Sequence, residues 1–73
     1  MAKVELYTMP GCPYCAKARD DLVSRGVDFV EYDCDADKDA FERVKKLSGG
    51  TSVPVIVDEN GVVTVGFGGF CAY

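Results

Sequence analysis

Two cysteines separated by two residues stand where a strand-like stretch gives way to a helix-like one. Val4 to Thr8 (VELYT) alternates as a strand does, with Val4, Leu6 and Thr8 expected on one side. Met9-Pro10-Gly11 forms a loop, and Cys12-Pro13-Tyr14-Cys15 opens a helix. Pro13 suits the first helical turn, where its missing N–H costs nothing. Ala16, Ala18, Leu22 and Val23 supply an apolar side, and Gly26 is the expected C-terminal cap. A strand, a loop and a helix in immediate succession commit the chain to a crossover unit, with Val27 to Asp33 as the parallel partner strand.

The remainder extends that unit. Asp35 or Asp37 caps a second helix, in which Ala40, Phe41, Val44 and Leu47 recur at helical spacing until Ser48-Gly49-Gly50 ends it. Val55 to Val57 and Val62 to Val65 flank Asp58-Glu59-Asn60-Gly61, whose Asn-Gly pair marks a hairpin. The expected order is β-α-β-α-β-β, an α/β fold with a four-stranded mixed sheet. With 73 residues the chain is read as one domain, residues 1–73. A chain of that size buries only about 60% of its unfolded surface, so stability rests on good packing.

The chemistry lies in the cysteine pair. Thiol–disulfide exchange requires a thiolate to attack a disulfide sulfur and a second thiol to resolve the mixed disulfide. Positions i and i+3 of a first helical turn bring both sulfurs to the same end. Unpaired amides and the positive end of the helix dipole stabilise an anion there. Cysteines in such settings reach pKa values of roughly 3.5 to 7.5, against about 8.5 for a free thiol. Cys12 is therefore the expected nucleophile and Cys15, one turn inside, the resolving thiol. Four cysteines in 73 residues fall below the density of a disulfide scaffold. A half-site for zinc is the competing reading, but the chain has no histidine, and only Cys34 and Cys71 could complete it. No metal is expected. Asp33-Cys34-Asp35-Ala36-Asp37 lacks the glycine and glutamate of a calcium loop and reads as an acidic connection.

The net charge of −4, with eight dispersed Lys and Arg, argues against nucleic acid or an anionic membrane as partner. No apolar run approaches 18 residues, and Met1 to Tyr7 lacks the continuous apolar stretch of a signal peptide. The expected location is the cytoplasm, where a close cysteine pair is redox-active rather than structural.

Tyr7-Thr8-Met9-Pro10-Gly11-Cys12-Pro13-Tyr14-Cys15, Thr51-Ser52-Val53-Pro54 and Gly68-Gly69 together resemble the glutaredoxins. These segments are similar to that family's first strand and dithiol, its Thr-x-Val-Pro segment and its late Gly-Gly turn. The resemblance implies a thioredoxin-like fold and a thiol–disulfide oxidoreductase that reduces protein or glutathione mixed disulfides, with glutathione as co-substrate and no tightly bound cofactor. It also implies a cis Pro54, where pattern alone leaves open a trans proline at the start of a strand. In that family's manner Val53 would offer its backbone to glutathione or to a substrate strand. Gly68 and Gly69 would offer amides to a γ-glutamyl carboxylate, or else form a plain turn. Tyr14 either shapes the groove or simply packs, and Thr51 either contacts ligand or fixes the loop.

Three departures qualify the resemblance. Many glutaredoxins carry a lysine shortly before the first cysteine, whereas Met9-Pro10-Gly11 has no basic residue, and Lys17 reads as a solvated helix position. Phe70-Cys71-Ala72-Tyr73 follows the Gly-Gly turn where a final helix is usual. The expectation is a truncated or absent third helix and a partly uncovered sheet face, with Phe70 and Tyr73 folding back over it, or a dimer covering it in place of a monomer. Cys34 and Cys71 are extra thiols. Cys34, at the far end of the second strand, is expected to be non-catalytic. Cys71, beside the Gly-Gly turn, either fills a gap or acts as an auxiliary resolving thiol. The electron donor is glutathione or, in a second reading, a thioredoxin-reductase-like flavoprotein. A third reading is an iron–sulfur cluster held between two chains through Cys12, although Pro13 and Cys15 stand where cluster-binding relatives carry Gly-Phe-Ser.

Overall fold

The computed structural model describes residues 3–72. Strand β1 (Val4–Thr8) leads into helix α1 (Pro13–Ser24), strand β2 (Phe29–Asp33) and helix α2 (Lys38–Ser48). Four short strands follow, β3 (Ser52–Val53), β4 (Val55–Val57), β5 (Val63–Val65) and β6 (Cys71–Ala72). The main sheet has the order β2-β1-β4-β5. β1 and β2 are parallel, with Thr8 opposite Asp33, whereas β4 runs antiparallel to β1 and to β5. This is the mixed sheet expected from the sequence. Among the described residues no helix is long and apolar enough to cross a membrane.

Local chemistry accounts for the helix ends. Pro13 stands at the start of α1, with Cys12 as the extended N-cap residue. Arg25 closes α1 and Gly26 follows with φ of +69°, just past the end and one residue beyond the cap. Of the two aspartates that could cap α2, Asp37 does so, its Oδ1 accepting from the Asp39 and Ala40 amides at 3.0 and 3.2 Å. Gly49 terminates the helix in the left-handed region. The β4–β5 turn is tied by Asp58, whose carboxylate accepts from the amides of Asn60 and Val62.

Successive residues of a strand face opposite sides, and β1 is buried on both. Leu6, opposite Ile56, packs with Ala18 and Leu22 of α1. Tyr7, opposite Val55, packs with Ala40 and Val44 of α2. Val4 and Thr8 are also buried, and Thr8 reaches Glu31 on the α1 side. Tyr7 stacks on Tyr32 with ring centroids 5.1 Å apart.

Three expectations need correction. Val23 is 63% exposed and lies outside the apolar side of α1, because Ala18 and Leu22, five and one residues earlier, already fill the contact. Phe67, not Phe70, packs against the α1 cluster, while Phe70 is 61% exposed; Tyr73 lies outside the described residues. After β5 the chain forms a turn and a short strand, β6, which pairs with β3 in a second, two-stranded sheet absent from the sequence reading.

Candidate active site

The C-terminal ends of the parallel strands β1 and β2 lie side by side, and the chain leaves β1 through Met9-Pro10-Gly11 to reach α1. Gly11 takes φ of +78°, which an L side chain rarely adopts, and so lets the chain turn into the helix. The Cys12 amide donates to the Met9 carbonyl, and the Cys12 carbonyl accepts the first bond of the helix from Ala16. Cys12 thus sits at the N-cap with no side-chain cap competing for the amides, and α1 has no acidic residue in its first turn. The first turn of α1 thus adds no negative charge against the positive end of the helix dipole.

Cys15, one turn on, is 1% exposed and carries a free thiol. Burial pushes its pKa above the ordinary thiol range, tempered by a backbone hydrogen bond at Met9. Cys34 follows β2, its amide donating to the Thr8 carbonyl at 2.9 Å. Because β1 and β2 are parallel, the end of β2 is not remote from the dithiol, and Cys34 belongs to the same buried cluster as Cys12 and Cys15. Burial, with Asp33 next in effect, pushes its thiol up to about 11.

The Val53–Pro54 bond is cis, and both residues are buried. Val53 pairs with Cys71 across the β3–β6 ladder, as Ser52 does with Ala72. That register carries Cys71 onto Cys12, and the two sulfurs form a disulfide with Cα atoms 6.1 Å apart across 59 residues of sequence. The separation falls within the usual disulfide range. The turn that delivers β6 is held by the Gly66 amide donating to the Pro54 carbonyl and the Phe67 amide donating to the Gly69 carbonyl, both at 2.8 Å.

Tyr14 is half-buried, with the Lys17 ammonium 5.6 Å from its ring centroid. A Cβ added to Gly69 would fall on the Tyr14 ring, whereas Gly68 faces open space. The structure therefore gathers Cys12, Tyr14, Val53, Pro54, Gly69 and Cys71 at one end of the sheet. Cys15 lies behind them in the core, and Thr51 sits half-buried in the bend before β3. A separate cavity lies on the α1 face by Val4, Leu22 and Ile56.

One feature of the site escaped sequence reasoning. Arg19 grips Glu31 through two bonds of 2.6 and 2.7 Å, and the Thr8 hydroxyl donates to the same carboxylate at 3.0 Å. This holds the Glu31 carboxyl below its ordinary value, the Arg19 bond being the leading cause and burial opposing it. The triad fastens α1 to the end of β1 and the middle of β2. The one clue in the sequence is a threonine at the last position of a buried strand, next to the loop.

Comparison with known proteins identifies the architecture. The family model described as Glutaredoxin matches residues 4–62. The chain belongs to the glutaredoxin family. Glutaredoxin 3 of Escherichia coli is 46% identical over 56 residues, covering 77% of this chain and 68% of that protein. The Gene 56 protein of Mycobacterium phage L5 is 36% identical over 66 residues, covering 90% of this chain and 64% of that protein. The chain thus spans about two thirds of the length of these relatives. The crystal structure of a glutaredoxin from Archaeoglobus fulgidus superposes with a TM-score of 0.81 at 33% identity, covering 92% of this chain and 77% of the other. The fold is the thioredoxin-like one of that family. The glutaredoxin match stops short of β5, so Gly68, Gly69 and Cys71 lie beyond it.

Proposed function

We propose that this chain is a thiol–disulfide oxidoreductase in which Cys12 attacks the disulfide of a protein or of a glutathionylated substrate. The observation that carries the proposal is the place of Cys12, at the N-cap of α1 beside Val53 and Pro54 and already engaged in a disulfide. A thiolate formed there is stabilised by the free amides of the first turn. Attack forms a Cys12–substrate disulfide and expels the substrate's other sulfur as a thiolate. A neighbouring thiol then attacks Cys12, releasing the second substrate sulfur and leaving an intramolecular disulfide for a donor to reduce. The sequence reading gives the resolving role to Cys15.

Glutathione is the proposed donor, acting from a reducing cytoplasm and not as a tightly held cofactor. The extended Val53 backbone suits a peptide-like thiol. A specific observation favours a second donor, a thioredoxin-reductase-like flavoprotein. Met9-Pro10-Gly11 offers no cation to a glutathione carboxylate. Turnover of a glutathione mixed disulfide, measured with glutathione and its reductase beside thioredoxin reductase, separates the two. Cys12→Ser should abolish turnover with either donor. Full activity in that variant would defeat the proposal.

A further inference from the structure

The edge of β3 is occupied. Beside the cis peptide, where an incoming disulfide would lay its backbone, the chain's own β6 already runs antiparallel, with Cys71 opposite Val53 and bonded to Cys12. The tail therefore sits as a substrate would, strand against edge and sulfur on the nucleophile. Cys15, by contrast, remains a free thiol buried behind Cys12. Cys71 is half-exposed and belongs to a two-residue strand whose neighbour Ala72 faces solvent. So short a strand detaches at little cost, and the turn through Gly66 and Gly68, both at positive φ, gives it a point of rotation.

We propose that Cys71, carried on β6, is the thiol that resolves mixed disulfides at Cys12, and that β6 is a tethered strand exchanging places with substrate on the edge of β3. The proposal rests on Cys12 being the nucleophile. In the reduced protein β6 leaves the edge and an external disulfide, R–S–S–R′, takes its place. The Cys12 thiolate attacks one sulfur, the Cys12–S–S–R bond forms, and R′S⁻ departs and takes up a proton. β6 then returns to Val53, displacing R from the edge. The Cys71 thiolate attacks the Cys12 sulfur, the Cys12–Cys71 bond forms, and RS⁻ leaves. Two protein thiols are oxidised and one external disulfide is reduced to two thiols. Two equivalents of a thiol donor, or one dithiol, restore the start. Strand return couples cleavage of the mixed disulfide to ejection of the product.

The test uses the whole chain, reduced and mixed with oxidised glutathione, then acid-quenched and read by intact mass. Cys71→Ser should accumulate the glutathione adduct at least tenfold over Cys15→Ser. Tryptic mapping of the wild type should join peptide 4–17 to peptide 47–73, since Cys12 and Cys15 share the first and Cys71 lies in the second. Accumulation in Cys15→Ser with prompt resolution in Cys71→Ser would overturn the proposal, as would an oxidised wild type bridged only within peptide 4–17. The double variant Cys15→Ser/Cys71→Ser separates the two failures. If it forms no adduct at all, Cys12 is not the nucleophile, and the reading beneath this proposal falls with it.

Discussion

The ring of Tyr14 occupies the space that a side chain on Gly69 would need. Tyr14 belongs to the first turn of α1 and Gly69 to the turn before β6, so this contact joins the helix that Cys12 caps to the segment that carries Cys71. Gly69→Ala forces one of them to move, since an added methyl meets an aromatic ring and not a flexible tip. Overpacking of this kind costs about 1–3 kcal/mol. In a domain of this size that corresponds to a fall in Tm of roughly 5–20 °C. Thermal unfolding of Gly69→Ala should show it, and adding Tyr14→Ala should return part of the loss. A double variant less stable than the sum of the two singles would show that the ring and the glycine do not compete for space.

Asp37 caps α2 with its side chain, accepting from two of the four amides that have no partner within the helix. α2 in turn carries Ala40 and Val44 onto the Tyr7 face of the sheet. Asp37→Ala should cost about 1 kcal/mol, read as a lower urea midpoint with an unchanged slope. Asp35→Ala should be close to neutral, because its carboxylate caps nothing; only its amide is engaged, with Asp33. Equal losses in the two variants would show that the cap is shared.

How far the sequence carried depended on whether each element was locally encoded. Pro13 after Cys12, Asp37 before Ala40 and Asn60-Gly61 between two valine runs are local signals, and the elements stand where those residues put them. The core of β1 was only half legible. Alternation placed Val4, Leu6 and Thr8 on one face, but a central strand covered on both sides buries Tyr7 as well. β3 and β6 were not legible at all. Two-residue strands have no period, and their pairing depends on a partner about twenty residues away. Of the site, Cys12 and the Val53-Pro54 segment followed from motif. The seat of Cys71 opposite Val53 required the register.

Glu31 ties its stability contribution to pH. Its folded-state pKa lies below the ordinary 4.5, so folding favours the ionised form. The contribution is complete above the unfolded value and fades as pH falls through the folded one. Arg19 is 42% exposed, and solvent around it holds the whole network to about 1 kcal/mol. Glu31→Gln should therefore be less stable than wild type by about that much at pH 7. The gap should narrow below about pH 4.5. Parallel thermal melts from pH 3 to 7 make the comparison. A gap of constant size across that range would mean that the bonds to Arg19 and Thr8 do not depend on the carboxylate's charge.

The buried thiols should be set apart by alkylation. Cys15 and Cys34 are both raised by burial, Cys34 to about 11. Only the thiolate reacts with iodoacetamide, and at pH 8 a thiol of that pKa is ionised to roughly 0.1%, against about a quarter for an ordinary cysteine. In the fully reduced protein Cys34 should thus be labelled at least a hundredfold more slowly than a free peptide thiol, and enclosure slows it further. Its rate should climb about tenfold per pH unit up to the onset of unfolding. Cys71, half-exposed at the rim, is open to the reagent and should be labelled early. Timed labelling followed by peptide mapping resolves Cys34 and Cys71 directly, since they fall in separate tryptic peptides, while Cys12 shares one with Cys15. Labelling of Cys34 as fast as Cys71 would mean that the end of β2 opens readily. The buried cluster that Cys12 shares with Cys15 and Cys34 would then be no rigid floor.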